Sequence, residues 1–253
     1  MITAEGFGLK GPRGWVFREV TFTAPAGGLV AVEGASGSGR TCLLLSLTGR
    51  MRATEGRAEV AGLTLPKQLA AVRRVAALGP VTGVAELDPA LTVGEHLRER
   101  VLLQRRFGGS LRELVRPGTT DRARVDGALT AAGLDLSTLP KAERTAARDL
   151  ERLEALRLGT ALALLGRPKV LAVDDADHKL APAEREEAWA MLRAVAAGGT
   201  TVLAVCSQAP GDAVVARTRP AAAETDTHTD SHTDAKTDDE EGAADAHAEA
   251  GSA

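Results

Sequence analysis

Gly34-Ala-Ser-Gly-Ser-Gly39-Arg40-Thr41 is the stretch whose residue types and spacing do chemistry most directly. Glycines let a backbone turn tightly around an anion, so that successive N–H groups point inward as a nest. A helix that starts at the end of such a turn adds the positive end of its dipole. The chemistry is binding of a phosphate chain through Gly34, Ala35, Ser36, Gly37, Ser38, Gly39, Arg40, Thr41 and Cys42. The Thr41 hydroxyl is placed to serve Mg²⁺ beside the phosphates. One position departs from the phosphate-loop pattern: Arg40 stands where that pattern has lysine. The charge is kept, but a planar guanidinium fork replaces a compact ammonium, which alters placement on the terminal phosphates. A second acidic half follows in Val170-Leu-Ala-Val173-Asp174-Asp175. Asp174 is expected to hold Mg²⁺, and Asp175 is the candidate to position an attacking water; the bland alternative is a polar strand end capping the next segment.

Elements must carry these residues. Leu29–Glu33 is a short apolar run that reads as a buried strand ending in the glycine turn. Thr41–Thr48 reads as a helix with Leu43, Leu44 and Leu47 on one face. Strands are also expected at 16–23, 55–61, 75–78, 170–173 and 200–206, and helices at 93–107, 120–132, 141–165 and 182–197. Strand–helix alternation with buried apolar strands predicts an α/β fold with a mainly parallel core sheet and a β-rich N-terminal part. The helical run between two strand-rich blocks predicts a helical subdomain over about 92–165, inside a nucleotide-binding domain spanning 1–219.

Composition sets bounds on the rest. Of 253 residues, 44% are hydrophobic and only 2% aromatic, with no tyrosine, so Leu, Val and Ala must build the core. Scarce aromatics argue against binding of single-stranded nucleic acid by stacking, and no nucleic-acid partner is expected. Two cysteines, Cys42 and Cys206, exclude a disulfide scaffold, fit a reduced cytosolic setting and are expected to pack as small hydrophobes. No apolar run spans a bilayer and no signal peptide is evident, so a soluble chain is expected, with any membrane role through a partner. The net charge of −3 is unevenly spread: residues 220–253 hold ten acidic residues against one lysine, leaving 30 basic and 24 acidic residues in 1–219. That segment lacks Leu, Ile, Val and aromatics and is expected to be a disordered, acidic, low-complexity tail. His228 and His232 in its near-repeat offer a weak metal tether or, more plainly, solvated side chains. His96 and His178 are single and read as solvated or locally bonded rather than as metal ligands. The arginine-rich stretches 98–106 and 144–157 read as solvated helix faces, open to use by a permease or anionic lipid. Arginine outnumbers lysine 25 to 6 and alanine is abundant, which points to a GC-rich bacterial source.

Over most of residues 2–208 the chain resembles the ATP-binding cassette (ABC) family. The likeness rests on the phosphate loop, on Thr54–Val60, on Leu87-Asp-Pro-Ala-Leu-Thr-Val-Gly-Glu-His-Leu97, on Gly166–Asp175 and on Thr200–Val205. The 135 residues between Gly39 and Asp174 leave room for the helical subdomain and are too many for a small GTPase. The resemblance implies a phosphate-loop NTPase fold of ABC type, ATP with Mg²⁺ as ligands, and an ATP-binding subunit working with a separate integral-membrane permease. It also implies a homodimer or a heterodimer with another ABC subunit, and a cytoplasmic, peripheral location on the inner face of the plasma membrane. Export is favoured over import, and the region Pro80–Leu91 is expected near the permease contact. Trp15 is a candidate for adenine stacking, or equally a core or edge residue.

Several positions depart from the family pattern. The signature Leu-Ser-Gly-Gly-Gln aligns with Leu150-Glu-Arg-Leu-Glu154, where Glu151 and Glu154 bring negative charge and Arg152 and Leu153 obstruct close backbone approach. The catalytic glutamate is Asp175 and the switch histidine is Ser207. Residues 75–90 hold no glutamine for the mobile loop, and His178-Lys-Leu-Ala181 lacks the dimer-contact aspartate. The chain enters its tail soon after Ser207, so the final strands of the family look shortened. Hydrolysis needs electrostatic preorganisation around the γ-phosphate, so these changes imply weak or lost turnover. The readings left open are a slow transporter ATPase, a non-hydrolysing ATP-binding regulatory module and a nucleotide-free scaffold.

Overall fold

The computed structural model describes residues 1–108 and 119–218; the acidic segment and its His228/His232 reading lie outside them. Nine strands and six α-helices are present among the described residues: β1 (Ile2–Gly11), β2 (Gly14–Ala24), β3 (Leu29–Glu33), α1 (Arg40–Leu47), β4 (Glu55–Val60), β5 (Leu63–Leu65), α2 (Leu69–Val75), β6 (Ala76–Leu78), α3 (Val93–Gly108), α4 (Thr119–Ala131), α5 (Arg152–Leu164), β7 (Val170–Val173), α6 (Pro182–Ala197), β8 (Thr201–Cys206) and β9 (Val214–Arg217). β6-β7-β8-β3-β9 form a parallel sheet, and β2-β1-β4-β5 form an antiparallel one.

Period-2 alternation divides the parallel strands between two cores. Leu29 and Ala31 of β3, Leu171 and Val173 of β7, and Val202 and Ala204 of β8 face the helical core built with α3–α6. Val30 and Val32, Val170 and Ala172, and Leu203 and Val205 face the core shared with α1 and the antiparallel sheet. A sheet covered on both faces needs unbroken apolar strands, which is the reason these runs carry no polar alternation.

Four features depart from the sequence expectation. The helix expected over 141–165 begins only at Arg152, the stretch before it forming short 3₁₀ turns and extended backbone. The cause is long-range pairing: Val93 N–H donates to the Thr145 carbonyl and Ala147 N–H to the Leu91 carbonyl, both at 2.9 Å, so segment 145–147 is held as an extended bridge to 91–93. β1 has a pattern broken at Gly6, where φ is +54° and the register with β2 shifts, so its alternation is interrupted. α2 is a single helical segment of seven residues, short enough to be hidden by the flanking strands. β9 follows Ser207, so a further core strand is present where the chain was expected to pass into its tail. Among the described residues, no helix is long and apolar enough to cross a membrane.

Candidate functional site

The C-terminal ends of β3, β7, β8 and β9 lie side by side, and their loops build the site. β3 delivers Glu33, and Gly34–Gly39 turns the chain into α1. Gly39 occupies the N-cap position in left-handed backbone at φ +82°, and a Cβ there would lie 2.2 Å from the carbonyl oxygen of Val16 on β2. Only glycine allows β2 to press against the loop in this way. Gly37 is also left-handed, at φ +78°, but nothing lies within 4 Å of its Cβ position. That side of the loop is open. The first turn of α1 carries no acidic residue and no side-chain cap, so the positive end of the helix is not neutralised by its own sequence.

Thr41 donates its hydroxyl proton to Oδ2 of Asp174 at 2.7 Å. Asp174 ends β7, is 5% exposed, and takes the Asp175 N–H on its other oxygen at 3.1 Å. Burial raises its carboxyl above the usual range, opposed in part by the Thr41 bond. A hydroxyl and a buried carboxylate in contact are hard oxygen ligands of the kind Mg²⁺ takes, so the donor set fits that ion. Asp175 adopts left-handed backbone at φ +47°, and its charge is a further cause that raises the Asp174 carboxyl. Strained backbone of this kind clusters at functional sites.

Arg40 turns to the next strand, Nη1 donating to the Cys206 carbonyl at 2.9 Å. Cys206 is fully buried and its thiol is pushed up to about 12, first by burial and then by the Asp177 and Glu33 charges, so it behaves as an apolar side chain. Cys42, in the first turn of α1, is half-buried against the second core; burial, then Asp174, raises its thiol. Ala35, Ser36 and Gly37 are exposed on the loop, whereas Ser38 is fully buried with its N–H donated to the Ala35 carbonyl at 3.1 Å. Trp15 lies on β2, next in sequence to the Val16 carbonyl that meets Gly39, and carries the Lys10 ammonium 5.5 Å from its ring centroid.

Two residues that pattern reading passed over complete the site. Asp177, 4% exposed, accepts the Ser207 N–H at 3.0 and 2.9 Å and the Gln208 N–H at 3.2 Å. Glu33 accepts the Ala209 N–H at 3.2 Å and pairs with Arg217 at 3.2 Å. Arg40, Asp177 and Glu33 thus hold Cys206 to Ala209 at four consecutive backbone groups. The signal for Asp177 was present in the acidic run 174–177, whereas Glu33 looked like a strand end only. Asp177→Ala strands two amides that had a charged acceptor, so it is expected to destabilise the chain by about 2 kcal/mol. A lowered urea midpoint at unchanged m-value is the measurement that shows it.

The start of α5 differs from the start of α1. Glu154 folds back and accepts the Glu151 N–H at 2.9 Å, placing a carboxylate on the helix start. Arg152 bends toward the loop after β7, donating to the carbonyls of Asp175 and His178 at 3.3 Å each. Leu153, expected to obstruct close approach, is instead buried in the helical core. Asp174 and Arg152 line one cavity of ≈ 260 Å³ together with Pro80–Leu87 residues. Among the described residues, no group of three or more His, Cys, Asp and Glu is placed to hold a metal by itself.

The family model described as ABC transporter matches residues 17–178, from β2 through the loop after β7. The chain belongs to the ABC transporter family. The Nod factor export ATP-binding protein I of Rhizobium johnstonii is 29% identical over 190 residues, covering 74% of this chain and 55% of that protein. The daunorubicin resistance ATP-binding protein DrrA3 of Streptomyces coeruleorubidus is 33% identical over 173 residues, covering 68% and 49%. The chain thus spans about half the length of these curated ABC relatives. Among solved structures, a dimeric ATP-binding cassette in a post-hydrolysis state, bound to ADP and Pi, superposes with a TM-score of 0.64 at 21% identity, covering 82% of this chain and 88% of that one. The fold is that of an ABC cassette, a phosphate-loop NTPase fold.

Proposed function

We propose that this chain is the ATP-binding subunit of an ABC-type exporter, taking Mg-ATP on residues 34–42 and working through a separate membrane permease. The observation that carries the reading is the Thr41–Asp174 bond at the foot of a glycine loop whose Gly37 side is open. The names of two relatives, concerned with Nod factor export and daunorubicin resistance, support the outward direction. In this reading, the backbone N–H groups of the loop and the start of α1 bind the phosphates, Thr41 and Asp174 hold Mg²⁺, and Asp175 positions water. Bound Mg²⁺ supplies neutralisation of the β- and γ-phosphate charge. Trp15, which carries Lys10 over its ring, is the residue that would stack on adenine. The helices over about 92–165 act as a subdomain with Pro80–Leu91 at the permease contact, at the inner face of the plasma membrane. Pairing is with a second copy or another ABC subunit.

Turnover in this reading is slow. Arg40 is engaged by the Cys206 carbonyl, so it must release or share that bond to reach a terminal phosphate. A misplacement of about 1 Å costs roughly 100-fold in rate. The carboxylate of Glu154 at the start of α5 favours a second reading, an ATP-binding module that does not turn over, since it repels phosphate where a helix start would attract it. Calorimetry of the full chain with Mg-ATP tests both. Specific binding is expected, with a stabilisation of about 2.7 kcal/mol at 100 times Kd; no binding at millimolar ATP would sink the nucleotide reading. Single-turnover hydrolysis then separates a slow ATPase from a non-hydrolysing module.

A further inference from the structure

Thr218 ties the phosphate loop to the far end of the described chain. β9 runs parallel to β3 with Arg217 in register with Glu33, and the next residue, Thr218, turns inward. It is 4% exposed, and Ser38 facing it is fully buried. The Thr218 N–H donates to the Glu33 carbonyl at 2.9 Å. Its hydroxyl lies 2.7 Å from Ser38 Oγ and 3.4 Å from the Glu33 carbonyl oxygen. The arrangement that satisfies all three oxygens has Thr218 donating to Glu33 and accepting from Ser38. The Ser38 hydroxyl proton is then committed to Thr218, while its N–H donates to the Ala35 carbonyl within the ligand-free turn. Gly34 shares the packing: a Cβ there would lie 2.3 Å from Thr218 Oγ1, 2.5 Å from Ser38 Oγ and 2.8 Å from the Thr218 carbonyl oxygen.

We propose that Thr218 is a positioning residue of the phosphate loop, holding it in its anion-binding shape before any anion arrives. The proposal rests on the reading that this loop takes nucleotide phosphate. Two points on opposite sides of the turn, Gly34 and Ser38, are fixed by one side chain. The open segment between them, Ala35 to Gly37, is therefore spanned rather than free, and ordering that would otherwise oppose binding is completed during folding.

The test uses the full chain carrying Thr218→Val, Thr218→Ser, Ser38→Ala and the Thr218→Val/Ser38→Ala pair. Mg-ATP affinity is measured well below each unfolding midpoint, and the amide shifts of Gly37, Ser38 and Gly39 are recorded without ligand. Thr218→Val and Ser38→Ala are expected to weaken binding about tenfold each. Thr218→Ser is expected to stay within about twofold of wild type, and the double variant to be no weaker than either single one, because both remove the same bond. A lowered unfolding midpoint with unchanged affinity and unmoved loop amides would mean a structural role only and overturn the proposal. If Thr218→Val does not fold, Ser38→Ala removes the same bond from the loop side and carries the same readouts. If wild type binds no Mg-ATP, the nucleotide reading has failed, and the amide shifts still decide on Thr218. Shifts moved by Thr218→Val or Ser38→Ala and restored in Thr218→Ser sustain it; unmoved shifts overturn it.

Discussion

Gly39→Ala is expected to lower the unfolding midpoint steeply and to abolish Mg-ATP binding at the same time, whereas Gly37→Ala is expected to lose affinity with only a small drop in the midpoint. Both positions are left-handed, at φ +82° and +78°, so each substitution carries the roughly 1–2 kcal/mol cost of placing an L-residue there. They differ in what the new methyl meets. At Gly39 it lies 2.2 Å from the Val16 backbone carbonyl, so β2 or the loop must move, and a total cost of about 3 kcal/mol or more follows. At Gly37 nothing lies within 4 Å, so the fold survives and the methyl stands on the open side of the loop. Thermal unfolding with and without Mg-ATP separates the two. Wild-type affinity in Gly37→Ala would mean that the open side is not the face that receives phosphate.

The second large effect is expected at Asp174. Its carboxylate is 5% exposed, with the Thr41 hydroxyl and the Asp175 N–H as partners, and burial works against its charge. Asp174→Asn keeps the shape and removes the charge. The ligand-free chain should therefore unfold at or above the wild-type midpoint, while the gain in ATP affinity conferred by Mg²⁺ falls by on the order of tenfold, about 1.4 kcal/mol. Affinity for ATP without Mg²⁺ should stay near wild type. Titrations at matched ionic strength with and without Mg²⁺ decide it, and an undiminished Mg²⁺ effect in Asp174→Asn would remove Asp174 from the metal site. A residue that lowers stability where it stands and is needed once a ligand arrives is the expected signature of a functional group rather than of a structural one.

How much of this was legible in the sequence depended on whether a signal was local. β7 and α6 were read to their ends, because an apolar run of four and a proline-started, glycine-ended helix are complete statements in themselves. The phosphate loop was legible because glycine spacing between a strand and a helix encodes its backbone shape directly. What escaped reading depended on partners distant in sequence. The extended backbone at 145–147 is imposed by residues 91–93, overriding a helical pattern. Arg40 was recognised as a departure, but its bond to Cys206 depends on β8 lying beside β3, 166 residues away. Thr218 carried no signal at all: one threonine beside an acidic, low-complexity stretch acquires meaning only once β9 is laid against β3. Asp177 lay in view within an acidic run and was passed over because its partners are backbone amides, which every residue but proline has.

The strand order β6-β7-β8-β3-β9 has a consequence for how the protein is made. β3, which feeds the loop, is flanked by β8 and β9, and both are encoded more than 160 residues after it. At about 5–20 residues per second of synthesis, β3 waits roughly 10–30 s for its neighbours. The loop therefore acquires Arg40's acceptor and the Thr218 tie only after β8 and β9 have been synthesised. Pairings this distant in sequence also place the chain among slow-folding topologies, with the backbone edges of β3 lacking their native partners for the whole of that interval.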